Sequence, residues 1–202
     1  MIVGLTGSIG MGKSTVSAMF QRAGVPVFSA DAAVHQLQGP GGAVVQRIEH
    51  FFPGTTSVAG VDRDKLSAAV LGKPSAITAL ERIIHPHVAE LRRQFVQRHR
   101  ARAFVVLDIP LLFEKGGWRD VDLIITVSAP TWVQQRRVLA RAGMTPAKLR
   151  HIRRLQLPDH IKRRRADIVI DTARPINVTR RRVRSLVACI SAHKSRYACR
   201  HA

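Results

Sequence analysis

Val3-Gly4-Leu5-Thr6-Gly7-Ser8-Ile9-Gly10-Met11-Gly12-Lys13-Ser14 is the stretch whose reading decides the fold. Its apolar start, with Ile2, reads as a short strand buried on both faces. Gly7 to Ser14 then satisfies G-x-x-x-x-G-K-[ST], placed between a strand and a helix as that motif requires. The glycines let successive backbone N–H groups converge on phosphate oxygens with no Cβ in the way. The helix behind them adds its positive N-terminal end. Residues 13–22 are predicted to form that helix, with Val16, Met19 and Phe20 facing inward. The cradle suits the phosphates of ATP, held by Gly10, Met11, Gly12, Lys13, Ser14 and Thr15. Lys13 is expected to reach the β- and γ-phosphates and the Ser14 hydroxyl to face Mg²⁺.

Outward from this stretch, Gly24 stops the helix and Val25-Pro26-Val27-Phe28-Ser29 reads as a second strand. Asp31 is predicted to begin a helix that fails at Gly39-Pro40-Gly41-Gly42. Residues 43–102 are predicted to be helical. Val44, Val45, Ile48 and Phe52 form one inner face and Leu66, Val70 and Leu71 another, before a basic helix from about Pro86 to Arg100. Strands follow at Phe104–Ile109, Leu123–Val127 and Ile168–Ile170, with a terminal helix from Ile176 to His193. Residues 141–165 read as arginine-rich helix broken at Gly143 and Pro158. The alternation of strand and helix predicts an α/β fold with a parallel sheet. One domain is expected, its core at about 1–42, 103–140 and 166–202, with helical insertions at about 43–102 and 141–165.

Composition bounds the function. A hydrophobic fraction of 46% with 23% charged residues matches a soluble globular chain. No apolar run approaches the roughly 18 residues of a membrane span, and residues 1–6 do not resemble a signal peptide. The reading is a cytoplasmic protein with no membrane partner. The two cysteines, Cys189 and Cys199, read as inert thiols. The net charge of +20 is concentrated late: residues 136–202 hold 19 Lys/Arg against Asp159, Asp167 and Asp171. Such a surface suits an anionic partner. With aromatics at only 5% and no reading module, no specific nucleic acid is expected.

Several residues carry candidate chemistry. Asp31 follows the second strand, where carboxyl ends of a parallel sheet converge on a ligand. It reads either as the base for an attacking hydroxyl or as a helix N-cap. Asp108 ends the third strand, as a Mg²⁺-linked acid or as a turn residue. Gln134, Arg137 and Arg141 recur at helical spacing, and Arg141 is the arginine expected to meet the transferring phosphate. Lys162-Arg163-Arg164-Arg165 and Arg180-Arg181-Arg182 read as solvated surface. His85 before Pro86 reads as a substrate contact or a packing residue. Trp118 and Trp132 read as core or edge residues.

Taken together, these residues resemble the dephospho-coenzyme A kinase family. The match spans Met1 to about Thr172. Beyond the glycine-rich loop it rests on Ala30-Asp31, Ile84-His85-Pro86, Asp108-Ile109-Pro110-Leu111-Leu112-Phe113-Glu114, Gln134 with Arg137 and Arg141, Gln156, and Ala166-Asp167-Ile168-Val169-Ile170-Asp171. The resemblance implies a three-layer P-loop kinase fold with a parallel sheet of about five strands. It implies a coenzyme-A-binding region near 43–102 and a lid near 141–165. The activity implied is ATP- and Mg²⁺-dependent phosphorylation of the ribose 3′-hydroxyl of dephospho-coenzyme A, by a monomer or weak homo-oligomer. The runner-up is a P-loop kinase acting on a nucleoside or nucleoside monophosphate, and a nucleic-acid-binding P-loop ATPase stands behind it. Asp31 matches the family's base, Lys13 and Ser14 its phosphate and metal positions, and Arg141 its lid arginine. His85 and Leu111 are placed on the substrate side. The chain departs from the family at Ser29, where an aspartate is frequent, and at Thr172, where asparagine is common.

Overall fold

In the computed structural model, which describes residues 1–193, the chain opens with β1 (Ile2–Thr6), α1 (Lys13–Arg22) and β2 (Val27–Ser29). It continues through α2 (Ala30–Gln38), α3 (Val45–Phe51), a hairpin of β3 (Thr56–Ser57) and β4 (Gly60–Val61), α4 (Arg63–Val70) and α5 (Pro74–Arg98). The remaining elements are β5 (Val105–Asp108), β6 (Leu123–Ser128), α6 (Thr131–Leu139), α7 (Pro146–Arg154), α8 (Asp159–Arg165), β7 (Ile168–Asp171) and α9 (Ile176–His193). Contacts divide the chain into two units. One joins Met1–Phe28 to the described part of His99–Ala202, and the other is Ser29–Arg98.

The first unit is built on a five-stranded sheet in the order β2-β5-β1-β6-β7. β1 lies parallel to both β5 and β6, and β6 is parallel to β7. The expected α/β class and the five-stranded sheet are therefore observed. Alternation along β6 explains the layering. Leu123, Ile125 and Val127 join the core that holds Val16, Phe20 and Leu186, from α1 and α9. Ile124 points the other way, onto Leu112 and Phe113. The register sets Leu5 beside Asp108, so β5 delivers its carboxylate level with the last turn of β1 before the glycine-rich loop.

Four readings are corrected in this unit. Lys162 is fully buried, whereas Arg163, Arg164 and Arg165 stay exposed. One position of a basic run faces inward because α8 packs along β6, and a carboxylate from elsewhere meets it there. Neither tryptophan is a core residue: Trp118 and Trp132 are exposed, each beneath an arginine, Arg119 and Arg136. Arg141 lies just past α6, in a turn closed by its own N–H to Val138 O. Cys189 is disulfide-bonded and so is not a free thiol, while Cys199 lies outside the described residues. Among the described residues no helix is long and apolar enough to cross a membrane.

The second unit packs Leu37, Val44, Ile48, Leu66 and Ile83 into its own core. Its helical reading needs three amendments. The hairpin of β3 and β4 interrupts the helices, Leu71 is exposed because α4 ends at Val70, and α5 begins at Pro74 and continues through Pro86. Proline costs a helix one hydrogen bond. Here burial of Ile83 and Ile84 on the preceding turn keeps the helix going, a packing gain that local propensity does not register. The hairpin is tied to α3 by Glu49, whose carboxylate accepts from Gly54 N–H at 2.7 Å, from Thr56 N–H at 3.1 Å and from the Thr56 hydroxyl at 2.7 Å. The Gly54 bond, then the Thr56 hydroxyl, hold the Glu49 carboxyl below its ordinary range.

Candidate active site

Helix α1 begins without a side-chain cap and without an acidic residue in its first turn, a helix end left ready for an anion. Gly12 supplies the N-cap in the left-handed region, at φ 86°. A Cβ there would also stand 3.2 Å from Thr172 Oγ1. Gly10 is left-handed too, at φ 75°, and a Cβ on it would fall 2.4 Å from Val138 Cγ2 of α6. Conformation calls for glycine at both positions; space also excludes a Cβ at Gly10, whereas at Gly12 the Thr172 side chain would have to give by a few tenths of an ångström. Ser14 and Thr15 are exposed on the first turn of α1.

The Lys13 ammonium sits 2.5 Å from Asp108 Oδ1. Asp108 is buried, so the contact supplies a compensating charge for a carboxylate out of reach of water. Its second oxygen, Oδ2, lies outside that pair.

Four contacts from distant elements hold the loop in shape. Gln134, buried in α6, donates through Nε2 to Ile9 O at 2.8 Å. Gln156, just before α8, accepts from Ile9 N–H at 3.1 Å through Oε1. Thr172, after β7, donates its hydroxyl to Met11 O at 2.7 Å, and the Met11 sulfur accepts from Ala129 N–H at 3.1 Å. Arg137 in turn holds Thr172, through the hydroxyl at 3.1 Å and the carbonyl at 2.6 Å. Glu114 and Lys162 lie behind this arrangement. Glu114 Oε1 accepts from Leu157 N–H at 2.7 Å and faces Lys162 Nζ at 2.8 Å, as an ion pair without hydrogen-bond geometry. Thus Glu114, at the end of the Pro-Leu-Leu-Phe-Glu string, anchors the segment that carries Gln156.

A cleft of about 360 Å³ is bounded by Gly10, Gly12, Thr15, Arg137, Arg141 and Thr172. It brings Arg141 to the same opening as the glycine-rich loop. A larger cleft of about 600 Å³ is lined by Ser8, Ser128, Gln134, Gln156 and Asp159. It includes neither Thr15 nor Arg141, which the smaller cleft sets beside Gly10 and Gly12, and Lys13 lines neither of the two.

The remaining candidates occupy defined places. Leu111 is half-buried in the turn after β5, outside the cluster formed by Leu112 and Phe113. Asp31 and His85 both belong to the Ser29–Arg98 unit, and both are exposed. The N-cap of α2 is Ser29, whose hydroxyl accepts from Ala32 N–H at 3.2 Å. The capping alternative for Asp31 is thereby corrected: the helix starts at Ala30, and Asp31 stands in its first turn. Sequence reasoning gave no role to Gln134, Gln156 or Thr172. Their partners lie 125, 147 and 161 residues away, and no local pattern encodes such pairings.

Comparison with known proteins agrees with this geometry. The family profile described as CoaE, dephospho-CoA kinase, matches residues 1–177. A dephospho-CoA kinase of Novosphingobium aromaticivorans is 54% identical over 189 residues, covering 94% of each chain. The solved structure of TT1252 from Thermus thermophilus superimposes with a TM-score of 0.82 at 32% identity, covering 93% of this chain and 96% of its own. A dephospho-CoA kinase structure from Campylobacter jejuni, at 20% identity and a TM-score of 0.66, shares the fold over 95% of this chain and 97% of its own. With the profile and the relative both spanning most of its length, the chain belongs to the dephospho-CoA kinase family.

Proposed function

We propose that the protein transfers the γ-phosphoryl group of ATP to the ribose 3′-hydroxyl of dephospho-coenzyme A, yielding coenzyme A and ADP, the last step of coenzyme A synthesis. The observation that carries this reading is the uncapped, acid-free start of α1 behind Gly7–Ser14, in a chain of this family. Backbone N–H groups of the loop bind the phosphate oxygens, and Lys13 exchanges Asp108 for the β- and γ-phosphates. Arg141, on the segment that acts as the lid, places its guanidinium against the oxygens of the transferring group and helps to exclude water. Asp31 takes the proton of the attacking hydroxyl. Leu111 and His85 contact the acceptor. The cytoplasm is the proposed compartment.

The donor set fits Mg²⁺. Among the described residues no cluster of three or more His, Cys, Asp or Glu side chains forms a protein cage. The Ser14 hydroxyl and the Asp108 carboxylate are hard oxygen donors, as a cation held mainly by phosphates and water requires. Mg²⁺ bound with the nucleotide neutralises charge on the β- and γ-oxygens. Incubation with ATP, Mg²⁺ and dephospho-coenzyme A, followed by mass detection, tests the assignment. Coenzyme A should accumulate with equal ADP, and parallel reactions with nucleosides and nucleoside monophosphates should stay blank. Turnover of a nucleoside monophosphate alone would overturn the proposal.

A further inference from the structure

The Ile9 backbone is held on both sides of its Cα by two glutamines that come from different parts of the chain. Gln134 reaches it from α6 and Gln156 from the segment entering α8, one on the carbonyl and one on the N–H. A peptide carbonyl can only accept and a peptide N–H can only donate. The orientation of both amides is therefore dictated: Gln134 must present its nitrogen to Ile9 and Gln156 its oxygen. Neighbouring positions are constrained as well. Gly10 is closed in by Val138, and the Met11 carbonyl is tied to Thr172. Ile9 alone in this run is held by side chains on both its N–H and its C=O. With its N–H bonded to Gln156, that donor is turned away from the phosphate cradle. The cradle is then left to the glycines and the first turn of α1.

We infer that Gln134 and Gln156 are positioning residues that set the shape of the phosphate loop by clasping, with opposite polarity, the two peptide groups that flank Ile9. The segment that carries Gln156 is itself anchored. The next peptide, Leu157 N–H, is bonded to Glu114, which ends the loop after β5 and faces the buried Lys162. The inference rests on the reading of Gly7–Ser14 as the ATP phosphate site.

One substitution made at both positions tests the polarity. Gln156→Glu keeps an oxygen for Ile9 N–H, whereas Gln134→Glu sets a carboxylate against the Ile9 carbonyl. Each variant adds one negative charge beside the same residue, so repulsion of ATP is common to both and their difference reports hydrogen-bond polarity. ATP dissociation constants from equilibrium titration should rise tenfold or more in Gln134→Glu and stay within about threefold of the parent in Gln156→Glu, a gap in line with leaving a part-buried acceptor unpaired. The KM for dephospho-coenzyme A should change little in either, a split that simple loss of folded protein would not produce. Methionine is near in size and has neither strong donor nor acceptor. Gln134→Met and Gln156→Met should each weaken ATP severalfold, and they keep the test open if Gln134→Glu does not fold. Equal effects of the two Glu substitutions, or parent-like ATP binding in both Met variants, would overturn the clasp. Failure of the parent protein to bind ATP would sink the underlying reading instead.

Discussion

Replacing Thr172 by valine should loosen the phosphate loop without changing any residue of the loop. Valine keeps the branched shape and removes only the hydroxyl. That hydroxyl carries a single proton, and its shortest acceptor is Met11 O at 2.7 Å; Ser128 O, at 3.3 Å, already accepts from Thr172 N–H at 2.9 Å. Thr172 and Met11 are both buried, so water cannot replace the lost donor. Stranding a buried acceptor costs about 1–3 kcal/mol. Arg137 loses its 3.1 Å bond to the hydroxyl but keeps the 2.6 Å bond to the Thr172 carbonyl, which limits the further loss to roughly 0.5–1 kcal/mol. The total, about 1.5–4 kcal/mol, corresponds to a fall in Tm of roughly 3–16 °C for a chain of this size. ATP affinity should fall with it, since Gly12 packs against Thr172 and begins α1. Differential scanning fluorimetry with and without ATP measures both effects. Thr172→Ser, which keeps the hydroxyl, should recover most of the loss. A Thr172→Val protein melting within about 1 °C of the parent would refute the reasoning, because a buried unpaired carbonyl should cost more than that.

Asp31→Asn should lower kcat by a factor on the order of 10² while leaving Tm nearly unchanged, whereas Ser29→Ala should cost about 1 kcal/mol of stability and leave kcat close to the parent. If the Asp31→Asn variant turned over normally, Asp31 would not be the base. Arg141→Ala should reduce kcat by a factor on the order of 10² with a modest loss of ATP affinity, and an unchanged kcat in steady-state assays would return Arg141 to the solvated surface. Glu49→Gln should destabilise the protein at neutral pH. Because the folded Glu49 carboxyl is held below its ordinary value, its contribution is complete above that value and is lost as pH falls through the lowered one. Urea titrations should therefore show the gap between parent and variant closing as pH falls below the ordinary carboxyl range, and a gap that stays constant there would contradict the assignment.

How much of the protein could be read in advance follows the range of the interactions involved. Gly7–Ser14 encodes its own conformation: the glycines permit φ values that other residues avoid, and the strand before and helix after them are periodic. The strands, α1 with its inward Val16, Met19 and Phe20, and the breaks at Gly143 and Pro158 were legible for the same local reason. Asp31, Asp108 and Arg141 could be singled out because strand ends and phosphate chemistry call for those groups there. Local patterns failed where a tertiary partner overrode propensity. Pro86 stays inside α5 because Ile83 and Ile84 are buried, and Lys162 leaves the basic surface because Glu114 waits beneath it. The α2 cap went to Ser29 rather than Asp31, a choice between two capable side chains that backbone geometry settled.

From its sequence alone this protein was determined to have a nucleotide-phosphate cradle, a parallel α/β sheet and the residues that mark its family. Only the tertiary structure decided what holds the cradle in shape: Gln134, Gln156 and Thr172 on the loop, Asp108 on Lys13, and Glu114 with Lys162 behind them. The physical reason is that a turn or an amphipathic helix is set by neighbours a few residues away. A hydrogen bond spanning 161 residues exists only once the parallel sheet has brought the carboxyl ends of β1 and β7 to its same end.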